Sequence, residues 1–166
     1  MDLGLEGRVA FVSGASGGLG FATAEALAAE GCRVAIGSRD RDRIEEAARR
    51  LRAAGADALP VVCDVRDESA IESALRDVVT AFGGLNILVA NAGVTADTLM
   101  LRMSDDDWST VLDTNLTGSF RLAKRASKGM LRMRRGRIVF ISSVVGLLGS
   151  AGQVNYAASK AGLVGM

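Results

Sequence analysis

Ser13-Gly14-Ala15-Ser16-Gly17-Gly18-Leu19-Gly20 is the stretch on which the reading of this chain turns. It follows an apolar run, Arg8–Ser13 (RVAFVS), and leads into an alanine-rich helical pattern. Glycines permit a sharp strand-to-helix turn and let backbone N–H groups approach an anion at the positive end of the helix. The spacing Gly14-x3-Gly18-x-Gly20 differs from the common G-x-G-x-x-G, and a lone glycine pattern recurs by chance. Its place between a first strand and a first helix is what makes it a phosphate loop.

Outward from this loop, short apolar runs alternate with amphipathic ones. Cys32–Ser38 (CRVAIGS), Ala58–Cys63 (ALPVVC), Asn86–Ala90 (NILVA) and Arg137–Ser142 (RIVFIS) read as four further strands. Their near-continuous apolar character predicts strands covered on both faces, as in a parallel sheet. Asp42 through Ala54 reads as a helix stopped by Gly55. Asp67 caps a segment with Ile71, Leu75, Val78, Val79 and Phe82 on one face, and Gly83 ends it. Ser104 with Asp107 forms a capping-box pattern that opens a long helical region towards Arg134, expected to break near Asp113–Asn115. This alternation predicts right-handed crossovers and an α/β, doubly wound parallel sheet, a Rossmann fold with strand order 3-2-1-4-5. Pro60 fits that order, which puts the third strand at an edge.

The composition narrows the chemistry. A chain of 166 residues, 49% hydrophobic, is long enough for one domain with a real core. A formal charge of +1 gives no reason to expect a nucleic-acid or membrane partner. Charges interrupt every apolar run before the roughly 18 residues that a membrane span needs. No basic region followed by an apolar stretch opens the chain, so no secretory signal is expected. Cys32 and Cys63 cannot make a disulfide framework, and a reduced cytoplasm is the simpler setting. The absence of histidine removes Ser-His-Asp catalysis, His general bases and His-based zinc sites; no metal site is expected.

The scarce residues converge. Tyr156 is the only tyrosine, and Lys160 is one of three lysines, beside Lys124 and Lys128. Four residues apart on a predicted helix, Tyr156 and Lys160 share one face. Ser143 ends the fifth strand, on the side where the carboxyl ends of the strands and the glycine loop form the ligand crevice. A free tyrosine titrates near 10, and a neighbouring ammonium favours the phenolate. This is the logic of a carbonyl reductase: Tyr156 gives a proton to a developing alkoxide, and Ser143 hydrogen-bonds the same oxygen. Ser38-Arg39, at the end of the second strand, suits a ribose 2′-phosphate and hence NADP; the alternative is a solvated loop arginine. Asp64-Val65 either places a carboxylate at the adenine edge, or Asp64 or Asp67 caps the next helix.

With these residues in view, the whole chain resembles the short-chain dehydrogenase/reductases. The resemblance rests on SGASGGLG (13–20), DV (64–65), NAG (91–93), Asn115, Ser143 and Tyr156-Ala157-Ala158-Ser159-Lys160. Within that family it is most similar to the 3-oxoacyl-acyl-carrier-protein reductases of bacterial fatty-acid synthesis, through Gly93–Asp97, Leu101–Met103, Asp113–Leu116, Gly136–Ile138 and Ser143 to Tyr156. The resemblance implies that Tyr156 is the general acid and that Ser143 binds the substrate carbonyl. Lys160 would hold the nicotinamide ribose, and Asn115 would order a water in the proton relay. NADP(H) would be lined by Gly14, Ser16, Gly18, Leu19, Gly20, Ser38, Arg39, Asp64, Val65, Asn91, Ala92 and Gly93, with Tyr156 and Lys160. A homotetramer is implied, packed through the long helical region and the Tyr156 helix.

The chain departs from the family pattern at several positions. Ser13 stands for the usual Thr, and Gly17 stands where NADP-selective relatives often carry Arg or Lys, which leaves Arg39 as the main support for NADP. Ala90 replaces the first Asn of NNAG, so a sheet-stabilising hydrogen bond is expected to be absent. Met166 comes six residues after Lys160. Residues 1–166 therefore read as a single NADP-binding domain without the family's strands 6 and 7. Alone, such a chain is expected to be poorly soluble or inactive, because its fifth strand would be an open edge. The run Arg132-Met133-Arg134-Arg135-Gly136-Arg137 reads either as a cationic helix end or as a dock for an acidic acyl carrier protein at Arg134 and Arg135. The leading activity is NADPH-dependent reduction of 3-oxoacyl thioesters. The alternatives are a nucleotide-binding piece without activity, or a short-chain reductase of a sugar, steroid or small alcohol.

Overall fold

All five apolar runs are strands in the computed structural model, which describes residues 3–166: β1 (Val9–Ser13), β2 (Arg33–Ser38), β3 (Ala58–Val62), β4 (Ile87–Ala90) and β5 (Arg137–Phe140). Every pairing is parallel and the order is β3-β2-β1-β4-β5, as the alternation predicted. Several strands are a residue or two shorter than their apolar runs, because the run ends turn out of the ladder into loops and caps. β1 is central and wholly buried, with Phe11 set against Ala35 on one side and Leu88 on the other.

Successive residues of a strand face opposite ways, so the sheet has two cores. On one face Ala10, Val12, Val34 and Ile36 pack under α1 (Gly18–Ala29) and α2 (Arg41–Ala53), which contributes Ile44 and Leu51. On the other face Phe11, Val61 and Leu88 pack under α3 (Glu68–Phe82) and the later helix α5 (Gly118–Arg132), through Ile71, Val78, Leu122 and Met130. Between α3 and α5 lies α4 (Asp105–Leu112); α6 (Val145–Leu148) and α7 (Val154–Val164) follow β5.

Local chemistry sets the helix starts. Asp40 caps α2, and Asp67 caps α3 by accepting from the backbone N–H of Ser69 and Ala70. Ser104 and Asp107 close a reciprocal capping box on α4. The break expected near Asp113–Asn115 is instead a widened π turn, Asp113–Thr117, that joins α4 to α5 without interruption. Two hydroxyls bond back across it, Thr114 to the Thr110 carbonyl at 2.8 Å and Ser119 to the Asn115 carbonyl at 2.7 Å. They occupy carbonyls that a regular helix would satisfy with backbone N–H groups.

β3 is one sheet edge and carries Pro60, whose missing N–H costs the ladder little there. β5 is the other edge, with Val139 44% exposed. Arg134, in the left-handed region at φ 51°, closes α5 while the Arg135 N–H bonds the Met130 carbonyl. Arg137 opens β5, so the basic run lies at the amino edge of the sheet. Among the described residues no helix is long and apolar enough to cross a membrane, and no cluster of three or more acidic or thiol ligands could hold a metal ion.

The Asp67 cap is also a pH-dependent element. Its carboxyl is held below the ordinary 3.8, chiefly by the hydrogen bond from the Ser69 hydroxyl and then by backbone N–H groups. Its stabilisation is therefore present above the unfolded value and fades as pH falls through the lower folded one. Asp67→Ala is expected to lower Tm near neutral pH by about 2–4 °C. Thermal melts of both proteins down to about pH 2 should show the gap closing; a constant gap would refute the assignment.

Candidate active site

The site begins with a clasp between β1 and β4. The Ser13 hydroxyl accepts the backbone N–H groups of Asn91 and Ala92, both at 3.1 Å, and donates to the Val89 carbonyl at 3.4 Å. The Asn91 amide in turn donates to the carbonyls of Ser13 at 2.9 Å and Gly14 at 3.2 Å. So Asn91 is the residue that fixes the glycine loop. The loop then turns at Gly14, with φ 66°, where a Cβ would stand 2.7 Å from the Ala92 Cα. At Gly20 a Cβ would stand 2.4 Å from the Gly14 carbonyl and 2.5 Å from the Asn91 amide nitrogen. No side chain caps α1, unlike α2, α3 and α4, and its first N–H groups are left for a ligand.

Two chambers meet at Gly93 and Val94, which line both. The smaller, about 220 Å³, is lined by Gly14, Ser16, Ser38, Arg39, Asp64 and Val65, with Ala92 at its floor. The larger, about 440 Å³, is lined by Leu19, Asn91, Thr95, Ser143, Tyr156 and Lys160. Gly18 and Gly20 shape the loop behind them. The loop residues and the Tyr-Lys pair, far apart in sequence, thus line two adjoining chambers that share Gly93 and Val94 at the carboxyl edge of the sheet.

Lys160 is held at both ends by the segment after β5. Its ammonium donates to the Ile141 carbonyl at 2.6 Å, and the Ser142 hydroxyl donates to the Lys160 carbonyl at 2.8 Å. The ammonium stands 5.6 Å from the centre of the Tyr156 ring. Only 5% of Lys160 is exposed, and burial pulls its pKa below the ordinary 10.5. The Ser143 oxygen accepts the Val145 N–H at 3.2 Å, so its own proton is free for a ligand.

Asn115 is fully buried in the π turn, and its side chain is spent inside the fold. Its oxygen accepts the Val94 N–H at 2.8 Å; its amide donates to the Val94 carbonyl and to the Ser159 hydroxyl, each at 3.0 Å. It stands beside Lys160 across Gly93, whose Cβ position is 3.3 Å from the Asn115 oxygen and 3.7 Å from the Lys160 ammonium. Of the two candidate carboxylates, Asp67 is the helix cap, while Asp64 lines the smaller chamber. Asp64 is paired with Arg66 at 2.7 Å, and that hydrogen bond leads the downward shift of its pKa.

Sequence reasoning missed several contributors. Ser142 grips Lys160, as described above. Asn155, fully buried, accepts the Tyr156 N–H at 2.7 Å and donates to the carbonyls of Ala96 and Asp107. Arg43 lines the smaller chamber. The only signal for Asn155 and Ser142 was adjacency to Tyr156 and Ser143. A larger groove, about 510 Å³, runs between α3 and α5, but it holds none of the predicted site residues.

Residues 8–166 match the short chain dehydrogenase family. The chain belongs to that family. It is 45% identical over 163 residues to the 3-oxoacyl-acyl-carrier-protein reductase FabG of Salmonella typhimurium, covering 98% of this chain and 66% of that protein. The enzyme of the same name from Staphylococcus aureus is 41% identical, covering 96% of this chain and 65% of its own length. A solved structure of a phenylalanine-to-tryptophan variant of actinorhodin polyketide ketoreductase with NADPH superposes with a TM-score of 0.93 at 39% identity, covering 95% of this chain and 61% of that one. The chain thus spans just under two thirds of the length of these relatives.

The clasp makes a steric prediction. Gly20→Ala, whose new methyl would press on the Gly14–Ala15 backbone and the Asn91 amide, is expected to cost about 1–3 kcal/mol in urea unfolding. Gly129→Ala, on exposed α5 with nothing within 4 Å, is expected to gain about 0.5–1 kcal/mol. Equal effects at the two glycines would remove the packing argument.

Proposed function

We propose that this chain forms the cofactor-binding and catalytic part of an NADP(H)-dependent reductase of 3-oxoacyl thioesters carried on acyl carrier protein. The observation that carries the reading is the pair of adjoining chambers, one lined by Ser143, Tyr156 and Lys160 with Leu19 of the glycine loop, the other by Gly14 and Ser16 of the same loop. The residues fit a dinucleotide on grounds of shape and polarity. α1 offers uncapped N–H groups, side-chain-free Gly14 and Gly93 line the chambers, and the polar residues fall in two chambers with a shared wall.

Bound NADPH would supply a hydride to the carbonyl carbon of the substrate. The chain's own residues supply the rest. The Ser143 hydroxyl, with its proton free, donates to the substrate oxygen and sets its position. The Tyr156 phenol donates a proton to that oxygen as it gains charge, so hydride and proton together convert the ketone to an alcohol. The Lys160 ammonium keeps two N–H groups beyond its bond to Ile141, enough to hold the ribose hydroxyls and to stabilise the phenolate left on Tyr156. Asn115 fixes the wall at Val94 and stands beside Lys160.

Family resemblance extends the proposal to a cytoplasmic homotetramer packed through α4, α5 and α7, where Phe120, Leu131 and Val164 are exposed. It also bears on the carrier. Arg134 and Arg135 lie at the amino edge of the sheet, and Ser143 lies at the carboxyl edge. A carrier protein bound to these arginines would deliver its thioester to the cleft of a neighbouring copy. Arg134→Glu with Arg135→Glu is expected to raise KM for a carrier-linked substrate and leave a small 3-oxo thioester unaffected. Equal effects on both substrates would remove the docking site.

The central test follows NADPH absorbance with acetoacetyl thioester. Within the whole reductase of which this chain is the proposed part, turnover is expected, and Tyr156→Phe there should lose at least about 100-fold in kcat with NADPH binding retained. A rate that survives the substitution would overturn the mechanism. Turnover of sugars, steroids or small alcohols in preference to the thioester would overturn the substrate.

A further inference from the structure

Among the described residues no carboxylate pairs with Arg43. Its backbone N–H donates to the Asp40 cap at 3.0 Å, which places it in the first turn of α2. Helical side chains lean toward the helix amino end, so the guanidinium reaches back toward the carboxyl end of β2. There it lines the smaller chamber with Ser16, Ser38 and Arg39. Its Nη2 lies 3.8 Å from the position of a Cβ on Gly17, and among the described residues beyond Ser16 and Gly18 no other heavy atom is within 4 Å of that position. Ion pairs among the described residues engage Arg49, Arg66, Arg121 and Arg125, not Arg39 or Arg43. The chamber's carboxylate, Asp64, is already neutralised by Arg66, with Arg39 adding only a weaker pull.

The smaller chamber therefore presents two guanidiniums and two serine hydroxyls with no free carboxylate lining it. That is the complement of a dianionic phosphate, which arginine binds through forked, charge-assisted hydrogen bonds. We infer that Arg43, with Arg39, binds the ribose 2′-phosphate of NADP(H), and that it supplies from α2 the cation missing at Gly17. The inference rests on the NADP(H) reading above and names the residue that sets its selectivity. It also explains how a glycine at position 17 is compatible with NADP. The Arg43 tip lies beside the position from which a side chain at residue 17 would project.

Calorimetric titration with 2′,5′-ADP and 5′-ADP tests this without turnover. Wild-type protein should prefer 2′,5′-ADP. Arg43→Ala should weaken 2′,5′-ADP by about 10- to 100-fold and leave 5′-ADP unchanged, which also shows that the site is folded. Gly17→Arg placed in the Arg43→Ala protein should restore most of the lost affinity, since Gly17 has an extended backbone (φ 175°) and its nearest neighbour has been removed. If Arg43→Ala binds 2′,5′-ADP as tightly as wild type while Arg39→Ala does not, the role of Arg43 is overturned. An equal loss for both ligands would overturn it too. Wild-type protein that does not distinguish the ligands would instead overturn the NADP(H) reading itself, a separate result.

Discussion

The clasp made by Ser13 and Asn91 is the constraint on which the rest of the cleft depends. A parallel sheet aligns the carboxyl ends of its strands but does not decide how closely the loops beyond them approach. Here one hydroxyl takes two N–H groups from the turn after β4, and one amide gives hydrogen bonds to two carbonyls of the turn after β1. The Ser13 hydroxyl and the N–H groups of the Asn91 amide are spent across the strand pair, in a region where unpaired groups would be costly. Gly14 and Gly20 are required by that closeness. Any side chain at either would press on the backbone of the opposing turn or on the Asn91 amide.

The catalytic side of the cleft is held by the same device, hydrogen bonds between elements distant in sequence. Lys160 is tied to Ile141 and Ser142, Asn115 to Val94 and Ser159, and Asn155 to Ala96 and Asp107. α7 therefore cannot shift without carrying the β4–α4 loop with it. The π turn has a part in this. By widening the helix at Asn115 it leaves a buried amide facing α7, where a regular turn would carry an apolar contact into the core.

Much of this was legible from residue order, and the part that was not has a physical pattern. Features that act locally could be read. The caps at Asp67 and Ser104, the turn at Gly83, the edge position of Pro60 and the Tyr156–Lys160 spacing each depend on residues within one turn or one strand. Asn155, Ser142 and Ser159 act across tens of residues, and each resembles an ordinary polar residue beside a more conspicuous one. Asp113–Asn115 looked like a break because its polar residues interrupt the apolar face, whereas Thr114 and Asn115 are buried and hydrogen-bonded within a continuous helix. Arg43 was hidden in a run of charges, Arg39-Asp40-Arg41-Asp42-Arg43, that reads as a solvated helix start. Only the lean of the side chain toward Gly17 separates it from its neighbours.

Lys160 shows why a site without histidine can still manage a proton. Its ammonium is nearly excluded from water and is held by one carbonyl, so burial opposes its charge. In the folded protein that cost is present at neutral pH and fades only as pH rises through the lowered pKa. In the proposed mechanism, a phenolate formed on Tyr156, whose ring centre stands 5.6 Å from the ammonium, would favour the charged lysine. The ammonium that is costly before proton transfer is stabilised after it.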